Sequence, residues 1–228
     1  MLYVVPTPIG NLGDITLRAL EVLKDVQVIA CEDTRHTRKL LTHFEIEGKE
    51  LVALHDHNEE RQAEVLLERI RNGEDVALVS DAGMPLVSDP GFRVVRGARE
   101  HGLEVTVLPG ASAPVTALVA SGLPPYPHRF GGFLPVKKGR RRNELEAALG
   151  RDETALWFES PHRIGSTLEI LAELKPEQLV VVARELTKKF ETVYRGTAAE
   201  LAKEFEKKPA RGEMVLLVHG EVRKEQDG

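Results

Sequence analysis

Short runs of apolar, mostly β-branched residues alternate with longer amphipathic segments in the first half of the chain, and this alternation constrains the fold most strongly. The short runs are continuously apolar, which is typical of parallel strands buried on both faces. Strands that each lead into an amphipathic helix predict a mostly parallel sheet with helices on both of its faces. The strands predicted here are Leu2–Val5, Val26–Cys31, Leu51–Leu54, Val76–Val79 and Val105–Leu108.

The alternation breaks between Gly122 and Gly139, a stretch that holds four prolines and four glycines. Such a stretch predicts a linker between domains. Beyond it the pattern resumes and predicts a second α/β unit with a mixed sheet, in which a strand at Glu191–Arg195 is expected to pair antiparallel. We therefore expect two α/β domains, residues 1–122 and 123–220, followed by a charged tail at 221–228.

The charge balance limits what the chain can bind. Its 228 residues include 31 Lys and Arg against 36 Asp and Glu, which gives a formal net charge of −5. That balance excludes a molecule that binds polyanions over its whole surface, so contact with nucleic acid needs a local basic patch. The run KKGRRR at 137–142 supplies one, with five cations in six residues inside the predicted linker. Such a run is also typical of a plain solvated surface, and the sequence leaves both interpretations open.

Cysteine and histidine usage predicts neither a disulfide nor a metal site. Cys31 is the only cysteine, so the chain forms no internal disulfide, which fits a reducing compartment. No Cys or His residues have zinc-ligand spacing, and the string His55-Asp56-His57 is interpreted as a hydrogen-bonding cluster. No apolar run approaches the ~18 residues of a membrane helix. We expect a cytoplasmic protein without a membrane segment.

Five polar or glycine- and proline-rich segments follow the five predicted strands. Ligands of open parallel sheets bind beyond the carboxyl ends of the strands, so we expect a ligand at this edge. No G-x-G-x-x-G or G-x-x-x-x-G-K-[ST] motif occurs, which argues against a dinucleotide or ATP. The five segments are residues 6–14, 31–39, 55–59, 80–91 and 109–114.

The segment SDAGMPLVSDPG at 80–91 is unusually rigid and polar for a loop. Gly83 and Gly91 permit close backbone approach or a positive φ, and Pro85 and Pro90 stiffen the chain between them. One interpretation is the wall of a ligand site. The other is a stiff turn in which Asp89 caps the next helix, and the residues alone do not choose between the two.

Eight segments of the chain carry a family resemblance and together cover nearly all of it except the tail. The chain resembles the small-subunit ribosomal RNA methyltransferase I family of the tetrapyrrole methylase superfamily, whose members bind S-adenosylmethionine. The segments are VVPTPIGNLGDIT (4–16), CEDTRHTRKLL (31–41), LHDHNE (54–59), SDAGMPLVSDPG (80–91), LPGASA (108–113), WFESPHRI (157–164), RELTKKFE (184–191) and GEMVLLVHG (212–220).

The resemblance implies two tetrapyrrole-methylase-like α/β domains with the cofactor, S-adenosylmethionine, in the cleft between them, and a homodimer. It implies methylation of the ribose 2′-hydroxyl of a cytidine in 16S rRNA of the small ribosomal subunit. The cofactor contacts that it implies are Pro8, Ile9, Gly10, Asp81, Ala82, Gly83, Leu86, Ala111, Ser112, Ala113, Leu186 and Met214.

A ribose hydroxyl is a poor nucleophile and gains from a general base within hydrogen-bond reach. The candidates for a catalytic base are Glu32, Asp33 and Glu185, with Asp56 considered beside them. Neighbouring cations lower the pKa of a carboxylate, and the alternative is that Glu32, Asp33 and Arg35 form a structural ion-pair set. The sequence does not select one base.

Basic residues near these segments are the candidates for gripping rRNA phosphates, because phosphate contacts supply most of the affinity of such complexes. The candidate RNA-binding residues are Arg35, Arg38, Lys137, Lys138, Arg140, Arg141, Arg142, Arg163 and Lys188.

Three alternatives stay open at this point. The first is a superfamily methyltransferase with a small tetrapyrrole-like acceptor, against which the arginine-rich segments argue. The second is a non-catalytic ribosome-binding module, which has no need of rigid cofactor-type loops. The third is a nucleotide phosphohydrolase, which the absence of a phosphate loop and of metal ligands disfavours.

Overall fold

The computed structural model describes residues 1–207 and 211–221. By its internal contacts the chain divides into two compact units, Met1–Ser112 and Ala113–Gly228. The predicted domain boundary after residue 122 therefore lies one helix too late, because the helix at Ala113–Ser121 packs on the sheet of the second unit. The predicted tail lies, apart from Glu221, outside the described residues.

The first unit is built on a five-stranded sheet whose strands are all parallel, in the order β3-β2-β4-β1-β5. All five strands lie where the sequence predicts them, within two residues at each end. The strands are β1 (Leu2–Val5), β2 (Val28–Cys31), β3 (Glu50–Ala53), β4 (Val76–Val79) and β5 (Val105–Val107).

Four helices connect these strands and cover both faces of the sheet. Helices α1 and α2 place Leu23 and Leu41 in one apolar cluster, and helices α3 and α4 place Leu66 and Val94 in another. Thr16 begins α1, because its hydroxyl accepts a hydrogen bond from the Ala19 N–H at 3.0 Å. The helices are α1 (Leu17–Asp25), α2 (Thr34–His43), α3 (Glu59–Arg71) and α4 (Phe92–Glu100).

The second unit has a mixed sheet in the order β6-β7-β10-β8-β9, in which β6 and β7 are parallel and the other pairs antiparallel. Trp157 is fully buried in its core. The elements are α5 (Ala113–Ser121), β6 (His128–Phe133), α6 (Lys138–Leu149), β7 (Thr154–Glu159), α7 (Ile164–Leu174), β8 (Leu179–Arg184), β9 (Thr192–Thr197), α8 (Ala198–Lys207) and β10 (Met214–His219).

The predicted linker at 122–139 is wrong, because this stretch contains β6 and the start of α6. Two of its glycines, Gly131 and Gly132, lie in β6 rather than in a hinge. A Cβ on Gly131 would collide with the Trp157 indole, and Gly132, with φ 67°, lies where the register between β6 and β7 shifts. Glycines in a strand of this kind mimic the composition of a loop.

Gly91, which precedes α4, provides a test of how tightly the loop after β4 is held against the sheet. Its φ is 122°, and a Cβ there would lie 2.7 Å from Leu78 Cδ2 of β4. We expect Gly91→Ala to lower the free energy of unfolding by about 1–3 kcal/mol because strain and crowding add. Gly73→Ala is the control, since Gly73 has φ 91° and open space around it. Urea unfolding of both variants measures the difference, and equal losses would contradict the crowding argument.

Candidate functional site

The loops that follow β1 and β4 are joined to each other by backbone hydrogen bonds. The Thr7 N–H donates to the Gly83 carbonyl and the Gly83 N–H donates to the Thr7 carbonyl, both at 2.9 Å. The Thr7 hydroxyl donates to the Ser80 carbonyl at 3.0 Å, and the Ser80 hydroxyl donates to the Gly83 carbonyl at 2.9 Å. Thr7, Ser80 and Gly83 are buried, so this contact fixes both loops as one body.

Three loops of the first unit meet at Gly83. Its φ is 86°, and a Cβ there would lie 3.1 Å from Ile9 Cγ2 and 3.6 Å from the Ala111 carbonyl oxygen. Beside it, a Cβ on Gly110 would lie 2.7 Å from Pro6 Cβ. The loops after β1, β4 and β5 thus approach each other through backbone and small side chains, which leaves a surface of main-chain atoms and hydrocarbon at this edge.

Glu59, at the start of α3, holds the far end of the loop after β4. One of its carboxylate oxygens accepts hydrogen bonds from the Gly91 N–H at 2.9 Å and from the Arg93 N–H at 3.0 Å. Glu59 therefore caps α4, and Asp89 does not, since Gly91 is the cap residue of that helix. Asp89 is left without a hydrogen bond or ion pair among the described residues.

Glu32 and Asp89 lie in one cluster of acidic groups at this edge of the sheet. Burial, with the nearby charges of Asp81 and Asp56, raises the pKa of Glu32. Burial, with the charges of Glu32 and Asp81, raises the pKa of Asp89 to about 7. His55 opposes this effect, and its ring Nδ1 is buried without a hydrogen-bond partner among residues 1–207 and 211–221. A cluster of this kind retains a proton near neutral pH and can exchange it.

Asp33, the neighbour of Glu32, has a structural role. Its carboxylate accepts from the Arg35 N–H at 2.8 Å, which caps α2, and it pairs with the Arg35 guanidinium at 2.7 Å. These bonds hold the pKa of Asp33 well below its usual range. Its own N–H donates to an Asp81 oxygen at 3.1 Å, so the loops after β2 and β4 are tied as well.

In the second unit, Glu185 closes the loop that joins β8 to β9. Its N–H donates to the Glu213 carbonyl at 2.9 Å, and its carboxylate accepts from the Glu213 N–H at 2.9 Å. This N–H and the Lys188 ammonium at 3.1 Å lower the pKa of Glu185. A carboxylate occupied in this way is a weak base. Leu186 and Met214, the cofactor contacts predicted for this unit together with Ala113, have buried side chains.

The basic run at 137–142 forms the first turns of α6 rather than a linker. Lys137, Lys138 and Arg140 are exposed. Arg141 is 4% exposed and donates to the Pro135 and Val136 carbonyls and to Ser166, so the prediction that it grips RNA is wrong. Its guanidinium instead anchors the helix to the preceding loop.

Three further predicted RNA contacts, Arg142, Arg163 and Lys188, are paired with carboxylates. Arg163 forms an ion pair at 2.7 Å with Glu159, whose side chain is fully buried, and Arg142 pairs with Glu173. Lys188 pairs with Glu185 and with Glu213 at 2.9 Å. Removing one partner of a buried pair leaves an uncompensated charge, so loss of the Arg163 side chain is expected to destabilise the second unit whatever else this residue contacts.

Within residues 1–207 and 211–221, no group of three or more His, Cys, Asp or Glu side chains is placed to hold a metal ion. In the same ranges, none of the helices has the length and apolar character needed to cross a bilayer.

Comparison with known proteins defines the class first. Residues 1–202 match the sequence profile described as Tetrapyrrole (Corrin/Porphyrin) Methylases. Among solved structures, the methyltransferase CobJ superposes with a TM-score of 0.71 at 23% identity, over 100% of this chain and 96% of that one. At that identity the superposition shows the fold alone.

Relatives of higher sequence identity assign the chain to one family within this class of methylases. The chain is 51% identical to Ribosomal RNA small subunit methyltransferase I of Escherichia coli O157:H7, over 99% of this chain and 80% of that protein. It is 46% identical to the protein of the same name from Bacillus subtilis, over 100% of this chain and 77% of that protein. The chain belongs to the tetrapyrrole methylase family and, within it, to the ribosomal RNA small subunit methyltransferase I family. It is a methyltransferase that depends on S-adenosylmethionine.

The residues at the edge of the first sheet fit this cofactor. A sulfonium ligand with an adenosine and an amino-acid end needs close backbone approach and main-chain hydrogen-bonding groups. The contact of Gly83 with Ile9 and Ala111 provides the close approach, and any side chain at Gly83 would occupy that space. The acidic cluster around Glu32 adds negative charge beside the loops.

Sequence reasoning missed two members of the site. The sequence pattern predicts Asp89 only as a helix cap, and it does not single out Glu59. The order of Asp89-Pro90-Gly91 before a helix favours a cap, and only the three-dimensional position of Glu59 shows that another side chain has that role. The sequence does contain one indication that Asp89 has an unusual pKa. Several acidic residues follow strands whose carboxyl ends share one edge of the sheet, and this predicts repulsion between like charges.

The raised pKa of Asp89 predicts a pH-dependent cost to stability. Its folded-state pKa of about 7 exceeds its ordinary value of 3.8, so the folded state binds the proton more tightly. The protonated Asp89 carboxyl therefore contributes to the stability of the folded state below pH 3.8, and this contribution is lost as the pH rises to about 7. We expect Asp89→Asn to stabilise the protein at pH 8 by about 1–2 kcal/mol, less than the full shift implies because water screens the half-buried carboxyl.

Urea unfolding at pH 8 and at pH 5 measures this effect. The gain from Asp89→Asn should shrink at pH 5, where the wild-type carboxyl is already largely protonated. An equal gain at both pH values would mean that charge is not the cause.

Proposed function

We propose that the protein transfers a methyl group from S-adenosylmethionine to the ribose 2′-hydroxyl of a cytidine in 16S rRNA of the small ribosomal subunit. The observation that carries the proposal is the 51% identity, over 99% of this chain, to a protein named Ribosomal RNA small subunit methyltransferase I. The choice of a ribose hydroxyl of cytidine rests on the family resemblance of the sequence motifs. Action in the cytoplasm and a homodimeric state belong to the same proposal.

The loops of the first unit are proposed to hold the cofactor. Their tied backbones present a fixed surface, and alignment supplies much of the barrier reduction in a methyl transfer. When bound, S-adenosylmethionine supplies a methyl group on a sulfonium sulfur. The residues proposed to contact it in this unit are Pro8, Ile9, Gly10, Asp81, Ala82, Gly83, Leu86, Ala111 and Ser112; Ala113, Leu186 and Met214 of the second unit stay predictions.

Glu32 is the best candidate for the general base. Efficient proton acceptors have a pKa near the working pH, and burial raises the pKa of Glu32 in that direction. The pKa values of Asp33 and Glu185 are shifted downward by the hydrogen bonds that hold them in place. In the proposed step, Glu32 accepts the hydroxyl proton while the oxygen forms its bond to the methyl carbon and the bond from sulfur to carbon breaks.

Asp89 tunes this base in the proposed mechanism. The charges of Glu32 and Asp89 disfavour each other, so a proton held by one lowers the pKa of the other. A neutral Asp89 therefore allows Glu32 to be ionised when the hydroxyl arrives.

The exposed cations of α6 are proposed to contact rRNA phosphates. Lys137, Lys138 and Arg140 stay predictions of phosphate contacts, because no carboxylate of the described residues pairs with them. The salt dependence of methyl transfer to small subunits measures their contribution.

Transfer of labelled methyl from S-adenosylmethionine to unmodified small ribosomal subunits tests the proposal. We expect one label per subunit, on a ribose 2′-oxygen of a cytidine, located by nuclease digestion and mass spectrometry. Label on a base would contradict the ribose assignment. Cofactor binding without transfer to subunits, but with transfer to a small tetrapyrrole, would contradict the rRNA substrate.

Glu32→Gln tests the base. We expect kcat to fall about 10²- to 10⁴-fold, the usual contribution of general base catalysis, while the dissociation constant of S-adenosylmethionine stays within about twofold. The wild-type rate should fall as the pH drops through the raised pKa of Glu32, and the variant should lose this acid limb.

Asp33→Asn discriminates between the two neighbouring acids. Asparagine caps helices about as well as aspartate, so α2 keeps its start while the carboxylate is removed. A loss of kcat in Asp33→Asn that equals or exceeds the loss in Glu32→Gln would assign the base to Asp33 instead.

A further inference from the structure

The outer face of α2 is strongly basic in a chain with a net charge of −5. The helix, TRHTRKLLTH, contains no Asp or Glu, and its first turn contains Arg35. Cations near the N-terminus of a helix oppose its dipole and are slightly destabilising there. The helix packs on the first unit through its buried residues, Thr37, Leu40 and Leu41. Arg38 and Lys39 are exposed and take no part in this packing.

Six residues of this helix line one surface groove, which we call the α2 groove. They form two rows in which each residue is four positions after the last, so each row follows one ridge of the helix. Four residues rise about 6 Å along a helix, a spacing comparable with that of successive phosphates in an extended strand. The rows are Thr34, Arg38, Thr42 and Arg35, Lys39, His43.

No acidic residue lines the α2 groove. Arg35 is held by Asp33 at its entrance, with the Arg35 side chain 87% exposed. Arg38 and Lys39 are exposed, and neither forms an ion pair or side-chain hydrogen bond with residues 1–207 or 211–221. Two adjacent uncompensated cations, flanked by threonine hydroxyls, give the groove a charge suited to a polyanion.

The α2 groove begins at the proposed catalytic edge. Asp33 immediately precedes α2, and its N–H is bonded to Asp81 in the loop after β4. Glu32, the proposed base, is the preceding residue. A strand that presents a ribose to Glu32 therefore passes close to the first turn of α2.

We propose that the α2 groove binds the sugar–phosphate backbone of single-stranded RNA next to the methylated nucleotide. The inference rests on the proposed function and adds Lys39, Thr34, Thr42 and His43 to the substrate contacts. The groove favours RNA over an acidic protein because no Leu, Ile, Val, Met, Phe, Tyr or Trp lines it, whereas protein interfaces rely on such side chains as buried anchors. Phosphate contacts require only cations and hydroxyl groups.

The test compares two double variants of the full chain. Arg38→Gln/Lys39→Gln neutralises the two uncompensated cations of the α2 groove. The matched control, Arg61→Gln/Arg71→Gln, removes from α3 of the same unit two exposed cations that form no ion pair with the described part of the chain. The first readout is kcat and KM for methyl transfer to unmodified small subunits. The second is the affinity for a labelled mixed-sequence 12-nucleotide RNA, measured by anisotropy between 50 and 300 mM KCl. The wild type provides the reference slope of log affinity against log salt.

We expect the α2 variant to raise KM for subunits about tenfold at constant kcat. The slope of log affinity for the RNA against log salt should become shallower by about 1.4, because two phosphate contacts of a single strand are lost. The α3 variant should match the wild type in both readouts, and the affinity for S-adenosylmethionine should be the same in all three proteins.

Two outcomes overturn the inference. An unchanged KM and salt slope would show that the α2 groove is a solvated surface. A raised KM for subunits with unchanged binding of the RNA would assign the groove to a ribosomal protein. If the wild type transferred no methyl group to subunits, the proposed function would fail, and the salt slope for the RNA would still decide whether the α2 groove binds a phosphate backbone.

Discussion

The pair of hydrogen bonds between Thr7 and Gly83 is the interaction on which the functional edge of the first unit depends. The adjacent strands β1 and β4 run parallel, and the loops that leave their carboxyl ends have no sheet of their own. Beyond the strand ends, the two bonds form a single antiparallel bridge between Thr7 of one loop and Gly83 of the other. Gly83 is required because of its positive φ and its contact with Ile9. The loops thereby become a fixed surface, which a reaction governed by alignment needs.

The same edge carries an electrostatic cost that the fold tolerates. Glu32 and Asp89 are half-buried, close to further acids, and their pKa values are raised. Functional sites commonly contain groups that a purely structural surface would avoid. The contrast with Asp33 shows how local bonding divides similar residues into different roles. Two adjacent carboxylates differ in their pKa shifts because one is hydrogen-bonded by Arg35 and the other is not.

Much of this molecule can be predicted from its sequence. Continuous apolar runs such as Val76–Val79 specify buried parallel strands, and the strand-end rule assigns the proposed cofactor site to the carboxyl edge of that sheet. Composition failed at β6, where Gly131 is required by the Trp157 indole and resembles a linker glycine. The prediction of an RNA contact failed at Arg141, because a run of basic residues does not show which side chain is buried. The first error concerns a contact between residues that are distant in the sequence, and the second concerns a side chain that is buried. Local sequence patterns encode neither.

The cap that Glu59 provides for α4 has a consequence for how the first unit assembles. The cap and the N–H group of Gly91 are separated by 32 positions in the chain. The loop after β4 therefore cannot complete its hydrogen bonds by local folding, because the start of α3 must be in place first. Contacts of this range form after the local elements. The wall proposed to hold the cofactor thus becomes rigid late in folding, and any change that loosens the start of α3 also loosens that wall.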